Sequence, residues 1–281
     1  MRGRFIFVQQ TWFRVLFVGL VLFGITDAAL FITKNPNLAP TVIVIGAFLV
    51  PVTFVIYLYD RFKHMEMRLN LLAMTFLLGG VLGIVVAAFL EWGTLRSLSL
   101  PSLLGVGLVE ESAKLLIPIF ILVRGKYRHE VDGLLIGVAC GMGFATLETM
   151  GYSLVALINA NGNVGALDGT LLVRGLLSPV SHAAWTGYVC AVIWWERERG
   201  RHHLYFNRAI LTAFIAVVLL HTVWDVFGSI TSRTSINIKA VEYIGLFVVA
   251  LISLILFAWR MNQAQQNQQR SEMPVSEANT K

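Results

Sequence analysis

Eight apolar runs, each long enough to cross a lipid bilayer, constrain this chain more than any other feature of its sequence. A membrane-spanning helix needs about 20 mostly apolar residues, because the hydrocarbon core is about 30 Å thick. Only 14% of the residues are charged and 57% are hydrophobic, whereas a soluble domain is about a quarter charged. We therefore predict an all-α, polytopic membrane helical bundle with about eight transmembrane helices. The runs are Val15–Ile32, Thr41–Tyr59, Leu69–Leu90, Pro101–Val123, Leu134–Ile158, Leu171–Trp195, Ala209–Ile230 and Ala240–Trp259.

The distribution of basic residues predicts that both termini are cytoplasmic, because cytoplasmic connections carry an excess of Lys and Arg. The N-terminal segment and every second connection are rich in them, and the alternate connections are poor. This pattern also accounts for a sequence pI near 9.5 without a nucleic-acid partner. The rich segments contain Arg2 and Arg4; Arg61, Lys63 and Arg68; Arg124, Lys126 and Arg128; and Arg197, Arg199, Arg201 and Arg208. The poor connections contain Lys34, Arg96, and Arg233 with Lys239.

A single membrane-embedded domain is predicted over residues 1–260, and the polar segment 261–281 is predicted to be a disordered cytoplasmic tail. The first run is of spanning length and lacks a small-x-small cleavage site, so we do not interpret it as a signal peptide. Cys140 and Cys190 lie in apolar runs without CxxC spacing, which is typical of small core residues. We find no soluble catalytic domain and no internal repeat, so any chemistry is expected inside the membrane.

Ionisable residues inside the apolar runs are the candidates for function, since each costs roughly 2.5–3.5 kcal/mol on membrane-insertion scales. Glu110 and Glu111 can both reach Lys114 on one helix face, at i,i+4 and i,i+3. His221 and Asp225 are also at i,i+4. The full set is Asp27, Glu110, Glu111, Lys114, Glu148, His182, His221 and Asp225.

Several of these residues lie at a similar depth. At about 1.5 Å per helical residue, those of the fourth to seventh runs lie about 18 to 25 Å from the cytoplasmic ends of their runs. Four runs therefore bring polar groups to one level in the outer half of the membrane, which indicates a site. Asp27 shares the depth but has no partner spacing, and we expect a structural or solvated role for it. Arg174, near the outer end of its run, is expected to extend towards the membrane surface.

The charge of this set favours a bound cation. Four carboxylates against one ammonium, in a medium of low dielectric, require that acids are protonated or that a cation is bound. Imidazole and carboxylate groups suit a divalent ion such as zinc, which can activate water for hydrolysis, most simply of a peptide bond. Taken singly, the histidines could be helix–helix hydrogen bonders and the Glu–Lys pair an intrahelical salt bridge.

The motifs that these residues form, in their order and spacing, resemble the PrsW-type intramembrane proteases, distant relatives of the CAAX prenyl-endopeptidase and bacteriocin-processing membrane proteins. The resemblance covers about 101–230, which we predict to be the catalytic core. Glu148 and Asp225 stand where the CAAX relatives carry histidine and often asparagine, so their ligand set does not transfer. The motifs are EExxK (Glu110, Glu111, Lys114), FxxxE (Phe144, Glu148), a helix histidine (His182) and HxxxD (His221, Asp225).

This resemblance implies a multi-pass peptidase of the bacterial plasma membrane that cuts a membrane-anchored protein near its extracytoplasmic side. Site-1 cleavage of an anti-sigma factor is the activity associated with the family. The roles that follow are Glu110 or Glu111 as general base and Lys114 as their charge partner. The expected metal site, most simply for zinc, comprises Glu148, His182, His221 and Asp225.

Two other functions fit part of the pattern. A proton- or ion-coupled transporter also uses intramembrane Asp, Glu and His, but it predicts polar groups spread along a path. A non-catalytic scaffold or receptor predicts a broken motif set, whereas every motif position is filled here.

Overall fold

The computed structural model describes residues 10–62, 67–94, 99–200, 207–229 and 239–272. Within these ranges the chain forms ten α-helices and no strand, which confirms the predicted all-α class. Two short 3₁₀ turns, Pro36–Leu38 and Ser178–Val180, precede α2 and α8. The helices are α1 (Thr11–Thr33), α2 (Ala39–Arg61), α3 (Leu69–Thr94), α4 (Leu100–Lys114), α5 (Leu116–Arg124), α6 (Glu130–Asn159), α7 (Val164–Leu177), α8 (His182–Glu198), α9 (Arg208–Gly228) and α10 (Lys239–Glu272).

Seven segments of the described chain are long and apolar enough to cross a membrane, one of them formed by α7 and α8 together. The remaining predicted run, Pro101–Val123, which is the fourth in chain order, is divided between α4 and α5. The protein is thus a multi-pass membrane protein. Several residues used in the sequence analysis lie outside the described ranges: Arg2, Arg4, Lys63, Arg96, Arg201, Ile230 and Arg233.

The last helix extends further than its apolar run. α10 continues through Glu272, so residues 261–272 are helical where the sequence analysis expected disorder. The Asn267 amide donates to Glu130 Oε2 at 2.8 Å, and Arg61 donates to Gln265 at 3.2 Å. This polar end of α10 therefore packs against α2 and α6. The remainder of the predicted tail, 273–281, lies outside the described residues.

α6 is the central helix, and its first two turns and middle are buried almost without interruption. Glycines let its neighbours approach closely. A Cβ at Gly143 would collide with the Phe76 carbonyl oxygen of α3, and a Cβ at Gly141 would collide with the His182 carbonyl oxygen of α8. The backbone of α6 thus contacts both neighbours directly at the level of the predicted site residues.

The division between α4 and α5 follows from a proline. Pro118 has no N–H, so it cannot donate to the carbonyl of Lys114 four residues earlier. That free carbonyl accepts a hydrogen bond from Cys140 Sγ on α6 at 3.0 Å. The helix therefore ends at Lys114 and restarts at Leu116, which places the EExxK motif on the last turns of α4.

A second interruption separates α7 from α8. The 3₁₀ turn contains Pro179, and Ser181 has φ −112° and ψ −95°, outside the helical region. α8 then begins at His182. The chain therefore restarts as a helix just after Pro179, which places His182 at a helix start in the interior of the bundle.

Candidate active site

The EExxK motif forms a buried ion-pair cluster. Lys114 Nζ lies 2.7 Å from Glu111 Oε1 and 3.3 Å from Glu110 Oε2, and Lys114 is 0% exposed. The same ammonium lies 4.3 Å from the centre of the Phe144 ring, a cation–π geometry. Both contacts predicted from the helical spacing of this motif are present. A buried ammonium between two carboxylates keeps both acids paired in a low-dielectric setting.

His221 joins α9 to this cluster. Its Nδ1 lies 2.8 Å from Glu111 Oε1, and its Nε2 lies 3.6 Å from both Glu110 Oε2 and Asp225 Oδ2. The ring stacks on Trp185 with 5.0 Å between centroids. Because Nδ1 donates to Glu111 in this arrangement, Nε2 is the nitrogen left to face the other two carboxylates.

Glu111 and Glu110 differ in how tightly their contacts hold them and in how exposed their side chains are. Glu111 Oε1 accepts from both Lys114 and His221, and the Glu111 side chain is 2% exposed. Glu110 is held more loosely, and its side chain is 11% exposed. The spacing of the EExxK motif does not distinguish the roles of Glu110 and Glu111, whereas their contacts do.

Glu148 is shared between two basic groups. Arg174 Nη2 lies 2.7 Å from Oε1. His182 Nε2 lies 3.2 Å from Oε2, although the two atoms are not aligned for a hydrogen bond. The expectation that Arg174 extends towards the membrane surface is therefore wrong, since its guanidinium turns inward to an acid.

Three acid and histidine side chains from three helices approach one another closely enough to hold a metal ion. Glu110, Glu148 and His182 each offer a ligand atom, and these atoms lie within 4.8 Å of one another. Buried Glu148 Oε2, His182 Nδ1 and Asp225 Oδ2 have no hydrogen-bond partner in the described part of the chain. An unpartnered buried polar atom requires an explanation, and a bound ion or an ordered water is one. Nitrogen and oxygen donors of this kind fit zinc.

This grouping differs from the ligand set expected from the sequence. Glu148 and His182 belong to it as expected, Glu110 joins them, and His221 with Asp225 forms an adjoining group. The two groups are neighbours, since the rings of His182 and His221 lie 5.9 Å apart edge to face. All the motif residues thus surround one place between α4, α6, α8 and α9.

Aromatic residues pack around the site. Phe144 stacks on His182 with centroids 5.9 Å apart. Trp185 is buried, donates through Nε1 to Ser253 Oγ at 2.8 Å and meets Trp224 edge to face. These contacts fix the ring planes of His182 and His221. These aromatic side chains therefore form walls of the site.

Glu91 was missed by sequence reasoning. It lies on α3 one turn beyond Ala87, which packs in a buried cluster with Ala113 and Phe144. Its Oε1 is buried and has no hydrogen-bond partner within the described ranges. It lies within electrostatic reach of Glu148, His221 and Asp225. The sequence signal is a single acid immediately after an apolar run, a position that is typical of the start of a connection.

Asp27 lies apart from these contacts. Asp27 and Asp168 both line an apolar cavity of about 510 Å³ between α1, α2 and α7. None of the motif residues lines this cavity. Cys140 and Cys190 are free and buried, as predicted for core residues.

The fold and the site together define a multi-pass membrane protein with a buried group of acid and histidine side chains that could hold a metal ion. A model of the PrsW family of intramembrane metalloproteases matches residues 67–258, which include every motif residue. The chain belongs to this family.

A named relative and the solved structures give further comparisons. Protease PrsW of Clostridioides difficile (strain 630) is 28% identical to this chain over 160 residues. The match covers 56% of this chain and 58% of the relative, so the chain aligns with little more than half of that protein. No solved structure matches.

Proposed function

We propose that this protein is an intramembrane peptidase of the bacterial plasma membrane, which hydrolyses a peptide bond of a membrane-anchored protein. The observation that carries the proposal is the approach of Glu110, Glu148 and His182 to within 4.8 Å of one another, beside the hydrogen-bonded pair of Glu111 and His221. Membership of a metalloprotease family and a bacterial relative named as a protease support it.

In this proposal, Glu110, Glu148 and His182 hold a divalent metal, most simply zinc, since carboxylate oxygen and imidazole nitrogen are its common protein ligands. When bound, such a metal acts as a Lewis acid that polarises a carbonyl group and makes water more acidic. The proposed ligand set retains Glu148 and His182 from the sequence analysis, and Glu110 replaces His221 and Asp225.

His221 is then the group that moves protons. With Nδ1–H held by Glu111 at 2.8 Å, Nε2 has a lone pair that can accept a proton from the attacking water. The water oxygen forms a bond to the carbonyl carbon, the peptide C–N bond breaks, and Nε2 returns the proton to the leaving amine. Asp225 Oδ2, 3.6 Å from Nε2, stabilises the charged imidazolium between these steps.

Glu111 and Lys114 act on the reaction through their neighbours. Glu111 fixes the tautomer and the orientation of His221, as a carboxylate does for a catalytic histidine. Lys114 offsets the charge of Glu110 and Glu111 from its fully buried position. Both are positioning residues in this account.

The cut is expected near the extracytoplasmic face. Asp225 lies three residues before the last residue of α9, and Glu91 three residues before the last residue of α3. The basic connections orient these helix ends to the outside. Together with the family resemblance, this position favours a single-pass regulator such as an anti-sigma factor, cut at site 1. A transporter would instead be expected to have its acids and histidines spread along a path.

The test is cleavage by purified protein. Wild-type protein in detergent, incubated with single-pass anti-sigma factors from a bacterial membrane, is expected to cut at least one of them at a bond near the outer end of its membrane segment. His182→Ala and His221→Ala are expected to abolish the cut. Equal cleavage by wild type and both variants would contradict the proposal, because the product would then come from another protease.

A further inference from the structure

Glu148 forms ion pairs with two basic side chains in the described part of the chain. One is the site histidine His182, and the other is Arg174. It lies on α7, and its Nη2 is 2.7 Å from Glu148 Oε1 on α6. Neither the family motifs nor the spacing within any one helix includes it. Its contact therefore adds a residue of α7 to the site.

The two oxygens of Glu148 have separate surroundings. Oε1 is held by Arg174, whereas Oε2 is buried, lies 3.2 Å from His182 Nε2 and has no hydrogen-bond donor among the described residues. A carboxylate anchored through one oxygen cannot rotate freely about its last bond. The contact with Arg174 thus fixes which oxygen faces His182.

Tyr152 holds the guanidinium in turn. The Arg174 guanidinium carbon lies 4.1 Å from the centre of the Tyr152 ring, and Tyr152 follows Glu148 by one turn on α6. The cation is thus placed between an acid and an aromatic face of the same helix, and the planar guanidinium suits both contacts. A single conformation of Arg174 satisfies both partners.

The charge of the site gives this contact a further consequence. Glu110, Glu111, Glu148 and Asp225 are four acids, and Lys114 contacts only two of them. Arg174 supplies a positive charge at Glu148, which is not one of the two acids that Lys114 contacts. Without it, Glu148 would be a partly buried carboxylate with only an imidazole beside it, an unfavourable state in low dielectric.

We infer that Arg174 is a positioning residue that anchors Glu148 Oε1 and so presents Oε2 for metal binding. This inference rests on the proposed function, because it requires the metal site that Glu148 shares with Glu110 and His182. Partners of this kind, which orient a ligand without touching the metal, change metal affinity by about 10- to 100-fold when they are removed.

The test is a titration of metal-free protein in detergent with Zn²⁺ in the presence of a competing chelator, so that affinity is read without any activity assay. Arg174→Met is expected to bind Zn²⁺ about 10- to 100-fold more weakly than wild type. The Zn²⁺ affinity of Arg174→Lys is expected to lie between those of wild type and Arg174→Met, because a lysine retains the charge but not the planar contact with Tyr152.

Arg260→Met is the matched control. Arg260 Nε lies 2.8 Å from Glu130 Oε1, so this variant also breaks an Arg–Glu pair on α6. Glu130 and Glu148 are 18 residues apart on that helix, which is about 27 Å at about 1.5 Å per residue. The control is expected to lower thermal stability and to leave Zn²⁺ affinity unchanged.

The outcomes separate the two proposals. Wild-type Zn²⁺ affinity in Arg174→Met would overturn the role inferred for Arg174, and the proposed metal site would be unaffected. Wild-type protein that binds no Zn²⁺ would overturn the proposed metal site and this role with it. If Arg174→Met does not fold, Arg174→Lys decides, and wild-type affinity in that variant would overturn the inference.

Discussion

The imidazole of His221 and the carboxylate of Glu111 meet through Nδ1 and Oε1 at 2.8 Å, between helices that are more than a hundred residues apart in sequence. The same Glu111 oxygen accepts from Lys114 at 2.7 Å. One carboxylate oxygen therefore connects the charge partner of the acid pair to the histidine that we assign to proton transfer.

Replacing Glu111 with Gln tests this connection. Gln can accept from Nδ1–H but has no charge to stabilise the imidazolium, so kcat is expected to fall by about 100-fold or more, while bound zinc is retained. The measurement is cleavage rate alongside zinc content. Glu198→Gln is the matched control, since Glu198 also contacts a histidine, His129, at 3.2 Å, and its activity should equal that of wild type. Wild-type kcat in Glu111→Gln would contradict the role given to the pair.

Lys114→Met tests whether Lys114 is needed to keep two acids buried. Removing one partner of a buried ion pair typically costs about 3–5 kcal/mol, so the variant is expected to unfold at a markedly lower temperature in detergent. The double variant Lys114→Met with Glu111→Gln removes one of the two uncompensated acids and is expected to recover part of the loss. Strictly additive effects of the two substitutions would argue against the pairing.

Cys140 is predicted to stabilise the break between α4 and α5 through its hydrogen bond to the Lys114 carbonyl. Cys140→Val removes the donor and leaves that buried carbonyl unsatisfied, at an expected cost of about 1–3 kcal/mol. Cys140→Ser keeps a donor and should lose less. Thermal unfolding of the two variants checks this, and equal stability of Ser and Val at position 140 would contradict it.

Gly141 is predicted to set the distance between α6 and the start of α8. The Cβ of Gly141→Ala would collide with the His182 carbonyl oxygen, so His182 must move and both zinc affinity and cleavage should fall. Gly151→Ala, on the same helix, meets no atom within 4 Å and should be neutral or stabilise α6 by up to about 1 kcal/mol. Matching effects of the two variants would show that close packing at Gly141 is unimportant.

The contacts within single helices could be predicted from the sequence, because helical spacing determines them. Lys114 with Glu110 and Glu111, and His221 near Asp225, follow from i,i+3 and i,i+4 geometry. The contacts of His221 with Glu111, and of Arg174 with Glu148, depend on how helices pack. Spacing along one chain segment does not contain that information.

Two differences from the sequence analysis have local physical causes. The start of α7 at Val164, seven residues before the predicted Leu171, places Arg174 ten residues from the outer end of its segment rather than three. The polar and glycine residues in 159–170 predict a connection. The break at Leu115 depends on Pro118 together with Cys140, and a proline in an apolar run does not by itself reveal whether its free carbonyl finds a partner.

The central claim is that Glu110, Glu148 and His182 bind metal, whereas Glu111 and His221 move the proton. Zinc content per chain, measured on purified wild type and on Glu110→Gln, Glu148→Gln, His182→Ala, Glu111→Gln and His221→Ala, tests it most directly. The account predicts about one zinc per chain in wild type and in the last two variants, with strong loss in the first three. Retention of zinc in Glu148→Gln and His182→Ala, or its loss in His221→Ala alone, would contradict it.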